Sequence, residues 1–129
     1  MFTFETIDDV IWMRLLNDVT PTDEALYLDL LGRVAARQDP FALVSIIDIS
    51  GGVVTHATRR EQNLWFKRNR DQLGRLCWGM ARVRPNVDPA RNDDAFVRAV
   101  PFPTRRLLRE EDVPPLLSQW RAAYAESTS

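Results

Sequence analysis

Cysteine and histidine occur once each in these 129 residues, as Cys77 and His56, and that scarcity removes whole classes of chemistry. One cysteine cannot form an internal disulfide, so no covalent framework substitutes for a core. Two such ligands in total fall short of a tetrahedral zinc site, and Asp88, Asp93 and Asp94 lack the spacing of a calcium loop. A Ser-His-Asp or Cys-His mechanism has to run through His56, and no spacing brings Cys77, His56 and Asp48 together. A Gly-x-Ser-x-Gly elbow and a phosphate-cradling Gly-rich loop are both missing. No apolar run approaches the ~20 residues that cross a bilayer. The opening Met-Phe-Thr-Phe-Glu lacks the positive and apolar regions of a secretory signal. Net charge is −1, so no overall field draws DNA, RNA or an anionic membrane. These absences predict a cytoplasmic protein that is not an enzyme, with no metal, no cofactor, no nucleic acid and no membrane span.

What is present suits a folded core. Hydrophobic residues make up 45% of the chain, including four Trp and six Phe, and a chain of this size supports a single domain. The domain is expected over residues 1–126, with 127–129 as a tail. Charge is distributed unevenly: residues 1–56 carry nine acids and three bases, net −6, and residues 57–129 carry nine acids and fourteen bases, net +5. Sixteen of the seventeen bases are arginine, which compositional bias explains as readily as a need for guanidinium chemistry.

Periodicity and punctuation set out the elements. Phe2 and Phe4 alternate with polar residues as a short strand; Asp8-Asp9 suits a hairpin turn, and Val10–Leu16 is the return strand. Thr20-Pro21 starts a helix whose Leu26, Leu30, Leu31 and Val34 recur at helical spacing. Phe41–Ile49 is an almost unbroken apolar run rich in β-branched residues, which reads as a strand covered on both faces. Thr58-Arg59-Arg60-Glu61 reads as a capping box opening a helix to about Leu76, with Trp65 and Leu73 on its apolar stripe. Cys77–Val83 is a second central strand, with Trp78 and Met80 expected on one face and Gly79, Ala81 and Val83 on the other, small enough for close helix approach. A short helix from Asp93 to Val100 precedes a proline-bearing strand over Phe102–Leu108, hence an edge strand. Asp112-Val113-Pro114 then starts a helix carrying Leu116, Leu117, Trp120, Ala123 and Tyr124. The fold class is therefore α/β: a mixed sheet with parallel crossovers, flanked by about four helices.

On that order of elements, Val44-Ser45-Ile46-Ile47-Asp48-Ile49-Ser50-Gly51 resembles the hydrophobic strand ending in Asp-Leu-Ser of STAS domains, the fold of bacterial anti-sigma-factor antagonists. The resemblance covers most of residues 8–126. It implies a regulatory or adaptor module working through protein–protein contact, with a phosphorylatable Ser or Thr at the start of the next helix. Thr58 matches that position in type, while His56 stands in place of the family's Asp and Arg59 in place of its Gly. The architecture also resembles small lipid-transfer domains of the CRAL-TRIO type, which implies the alternative of a lipid or nucleotide ligand.

The region where function is expected is the turn from the third strand into the following helix. Ser50, Gly51, Thr55, His56, Thr58 and Arg59 supply hydroxyls, a flexible backbone and positive charge there, and ligands of open α/β sheets favour carboxyl ends of strands. A cap, a turn and a solvated first helical turn account for the same residues. Phe66 reads equally as part of a mixed partner surface and as a residue rimming the core. Arg59, Arg60, Lys67, Arg68, Arg70 and Arg75 scatter in helical angle, which argues against a nucleic-acid face. Homo-oligomerisation stays open.

Overall fold

The computed structural model describes residues 1–51, 54–87 and 94–128. In chain order the elements are β1 (Phe2–Ile7), β2 (Val10–Asp18), α1 (Pro21–Ala35), β3 (Phe41–Gly51), α2 (His56–Arg68), α3 (Arg70–Leu76), β4 (Cys77–Val83), α4 (Asp94–Ala99), β5 (Thr104–Leu107), a 3-10 turn (Glu110–Asp112) and α5 (Val113–Thr128). The strands form one mixed sheet in the order β1-β2-β3-β4-β5. The β1–β2 hairpin is antiparallel and every other pairing is parallel. The expected central strands β3 and β4 both lie inside the sheet, and the proline-flanked β5 is an edge.

Both faces of the sheet are covered, by different helices. On one side Ile11, Met13, Leu15, Phe41, Leu43, Cys77 and Met80 pack with Leu30, Leu31 and Val34 of α1, Trp65 of α2 and Leu73 of α3. On the other, Val10, Ala42, Val44, Ile46, Trp78, Ala81 and Val83 meet Val113, Leu116 and Leu117 of α5. Two-sided burial is why β3 and β4 read as continuous apolar runs rather than alternating ones. α5 continues to Thr128, into the segment expected as tail, where the Ser127 and Thr128 hydroxyls donate back to the Tyr124 carbonyl.

Three local expectations change. Between Phe41↔Cys77 and Leu43↔Met80, β3 advances two residues while β4 advances three, so β4 carries a bulge at Trp78-Gly79. The extra residue moves Trp78 to the α5 side, away from Met80. The helix expected to run to Leu76 breaks at Asn69, whose Nδ2 donates to the Trp65 carbonyl at 2.9 Å. That side chain competes with the helical backbone for an acceptor. Finally, α2 begins at His56 and not at Thr58: its N-cap is Thr55, whose Oγ1 accepts from the Thr58 amide at 3.3 Å. Thr58 is thus the receiver of a cap and not its provider.

The start of α1 makes a second, more extensive cap. Thr20 Oγ1 accepts from the Asp23 amide, and Asp23 Oδ2 accepts from the Thr20 amide at 2.9 Å and from the Thr20 hydroxyl at 2.9 Å. Asp23 Oδ1 also accepts from the Phe2 amide at 2.9 Å, tying β1 to α1. The Thr20 backbone N–H, followed by its hydroxyl and the Phe2 amide, holds the Asp23 carboxyl down at about 2 against an ordinary value of 3.8. A depressed carboxyl contributes stability that is present above its unfolded pKa and lost as pH falls through its folded one. Acid titration of folded stability should therefore show a loss between about pH 4 and pH 2. The same titration of Asp23→Asn should lack that component, and an unchanged acid profile would show that this carboxylate does not link β1 to α1 energetically.

Candidate functional site

β3 ends and α2 begins at the carboxyl ends of the parallel strands, the side where open α/β sheets take ligands. Glu24 of α1 reaches across this turn. Its Oε1 accepts from the Thr55 amide at 2.7 Å and its Oε2 lies 3.4 Å from the Thr55 hydroxyl. One carboxylate thus fixes the residue that caps α2, and two helices start in register with each other. Glu24 reads from the sequence as an acid complementing the dipole of α1; its partner 31 residues away is visible only in the fold.

Below the turn lies a cavity of about 40 Å³ lined mainly by apolar groups, Phe2, Met13, Leu15, Ile47 and Val54 among them. Its polar lining comes from Ser45, Thr58, Gln62, Tyr27 and Glu24. The Tyr27 hydroxyl donates to Gln62 Oε1. Burial pushes the Tyr27 pKa up to about 12, with Arg84 opposing the shift. Tyr27 therefore stays neutral and acts as a donor.

The predicted site residues separate into three groups. Thr55 and Thr58 are brought together, their hydroxyls 3.2 Å apart, but Thr58 is only 5% exposed and faces the cavity. The accessible hydroxyl at the helix start is that of Thr55. His56 and Arg59 are exposed on α2. Ser50 and Gly51 close β3, where Gly51 pairs with Asp18, and Gly52 lies outside the described residues. Phe66 belongs elsewhere. It is half-buried, edge-on to Trp65 at 5.0 Å and to Phe96 at 5.8 Å, within the aromatic packing between α2 and α4.

The exposed side of α2 differs from the expected scatter of charge. His56, Arg59, Arg60, Asn63, Leu64 and Lys67 line one shallow concavity, because spacings of three and four residues return to the same helix face. Arg70 leaves this face to donate to the Ala99 carbonyl. Among the described residues no acidic side chain lines the concavity.

Cys77 and His56 lie at opposite ends of the sheet. Cys77 pairs with Phe41 at the start of β3, whereas His56 follows the end of that strand. The Cys77 thiol is buried, and burial pushes its pKa up to about 12, against the thiolate a nucleophile needs. Asp48 accepts from Asn86 Nδ2 at 2.7 Å. Among the described residues no three His, Cys, Asp or Glu side chains gather as a metal site, and no helix is long and apolar enough to cross a membrane. Asp88 and Asp93 lie outside the described residues.

Comparison with protein-family models, with curated proteins and with solved structures finds no match for this chain. The reading of function therefore rests on the site itself.

Proposed function

We propose that this chain is a non-enzymatic, STAS-like regulatory or adaptor module of the bacterial cytoplasm that contacts a protein partner through the exposed face of α2. The observation carrying the proposal is the basic stripe of Arg59, Arg60 and Lys67, with His56 beside it, on a helix whose start is held by Glu24. Guanidinium groups fork onto carboxylates, so the fitting partner is a protein with an acidic surface. Leu64 at the middle of the stripe adds a half-buried apolar contact between the charges, a mixture typical of partner surfaces. The mixed sheet with parallel crossovers agrees with the architecture that the STAS resemblance implies. The buried lone thiol suits a reducing compartment.

Charge reversal tests the surface directly. The wild type and the double variant Arg59→Glu/Arg60→Glu are used as bait in the native host, with quantitative mass spectrometry and melting curves for both. Both arginines are exposed, so the variant should melt within about 0.5 kcal/mol of wild type. A partner with an acidic surface should be recovered on wild type, lost on the variant, and released by salt. Equal recovery on both baits would remove α2 as the contact face. The alternative of a small ligand is favoured by a separate observation, at Arg84.

A further inference from the structure

Arg84 directly follows β4 and turns toward β3, on the face of the sheet that α1 and α2 cover. Its Nη1 donates to the Ser45 carbonyl at 2.7 Å and to the Val83 carbonyl at 2.9 Å, and its Nη2 donates to Ser45 Oγ at 3.2 Å. The backbone is fixed as well, the Arg84 amide donating to the Leu107 carbonyl at 2.9 Å. A guanidinium offers five N–H groups. Three are used here, which leaves Nε–H and one Nη2–H. These two lie on the same edge of the planar group and form the fork that accepts two oxygens of an oxyanion.

No carboxylate among the described residues pairs with Arg84. Its surroundings add positive charge instead. Arg82 and Arg106 are register partners on β4 and β5, and Arg82 stacks on Phe96 at 4.1 Å while donating to Thr104. Burial, then the neighbouring Arg82 and Arg106, pull the Arg84 pKa down to about 10, so it remains a cation at neutral pH in a setting that disfavours one. Arg84 is half-buried, and a partly desolvated cation with no carboxylate partner among the described residues is stabilised where an oxyanion meets it. The location agrees: the carboxyl ends of β4 and β5, opposite the middle of β3 and beside the cavity that Ser45 and Tyr27 line.

We propose that the free fork of Arg84, at the carboxyl end of β4 and anchored on Ser45 of the neighbouring β3, binds the phosphate group of a small molecule or of a lipid head group. The site uses none of the α2 residues assigned to partner contact, so either assignment stands without the other.

Calorimetric titration of the whole chain at constant ionic strength tests it in two arms. One arm uses inorganic phosphate, and the other uses phosphatidylcholine vesicles with and without phosphatidic acid. Wild type should bind inorganic phosphate saturably. Arg84→Gln should weaken binding roughly 10–100-fold, as loss of hydrogen bonds to a charged group does. Arg84→Lys should fall between them, keeping the charge and losing the fork. Binding only to vesicles with phosphatidic acid, with the same dependence on Arg84, supports the site and identifies a lipid head group as the source. No binding in either arm overturns the proposal, as does binding that Arg84→Gln leaves unchanged. Should the glutamine variant fail to fold, unchanged affinity in Arg84→Lys overturns it equally.

Discussion

Replacing Gly79 with alanine is expected to cost about 1–3 kcal/mol, the range for overpacking a filled interior. For a chain of this size the melting midpoint should fall by roughly 5–15 °C. A Cβ at position 79 would stand 2.3 Å from Cε3 of Trp120, 2.8 Å from Cδ2 and 3.0 Å from Cζ3. The obstacle is a flat ring on a helix whose neighbours Leu116 and Leu117 are buried, so the ring cannot simply swing aside. Relief requires α5 to lift from the sheet or the bulge in β4 to flatten, and flattening would return Trp78 to the wrong face. The compensating change is Trp120→Leu. In the Gly79→Ala background it should recover part of the lost stability, while alone it should destabilise by removing a half-buried aromatic. A double-mutant cycle on thermal melting reads the coupling. Additive effects would mean that Gly79 is required by the bulge geometry and not by Trp120.

Thr58→Asp should destabilise by about 3–5 kcal/mol, since it places a carboxylate without a partner among apolar side chains. Thr58 is buried and faces the cavity, with Phe2, Met13 and Leu15 in the lining and the Glu24 carboxylate at the rim. The position is the third residue of α2, so the helix dipole returns only about 0.3–1 kcal/mol. Burial raises the pKa of the introduced carboxyl, so the deficit should shrink as pH falls through that raised value and the group becomes neutral. Thr55 should behave differently. Thr55→Asn keeps a capping side chain and should melt close to wild type, while Thr55→Ala should lose about 0.5–2 kcal/mol. Chemical denaturation of the three variants separates the positions. Thr58→Asp as stable as wild type would show that α2 opens readily enough to present this hydroxyl, and the phosphorylation that the STAS resemblance implies at Thr58 would then have a structural route.

The contrast between Thr55 and Thr58 shows where local reasoning reached its limit. Thr58 and Glu61 have capping-box spacing, but Thr55 and Thr58 have the same three-residue spacing, and hydroxyls at both positions satisfy the local rule. Glu24 breaks the tie by holding the Thr55 amide and hydroxyl from another helix. Trp78 follows the same logic. Alternation along β4 puts it with Met80, and only the pairing with β3 inserts the bulge that turns it toward α5. Asn69 ends α2 and leaves Arg70 and Arg75 on α3, while Arg68 stays on α2 outside the concavity that Arg59, Arg60 and Lys67 line.

The sequence by itself determined the order of the strands, the mixed α/β class, the interior placement of β3 and β4, and the edge position of β5, but not the division of the helix before β4 into α2 and α3. Each follows from interactions over a few residues: the period of apolar side chains, Thr20-Pro21 at a helix start, and prolines that cannot serve a central ladder. Gly79 was likewise legible as a point of close approach, although not its partner. The tertiary structure alone decided which hydroxyl caps α2, which face Trp78 occupies, and that Ser45, Tyr27 and Arg84 come close together. Those residues come from β3, α1 and the end of β4, and no periodicity links them. Their juxtaposition arises because β4 and β5 end beside the middle of the longer β3, which places the site where distant segments converge.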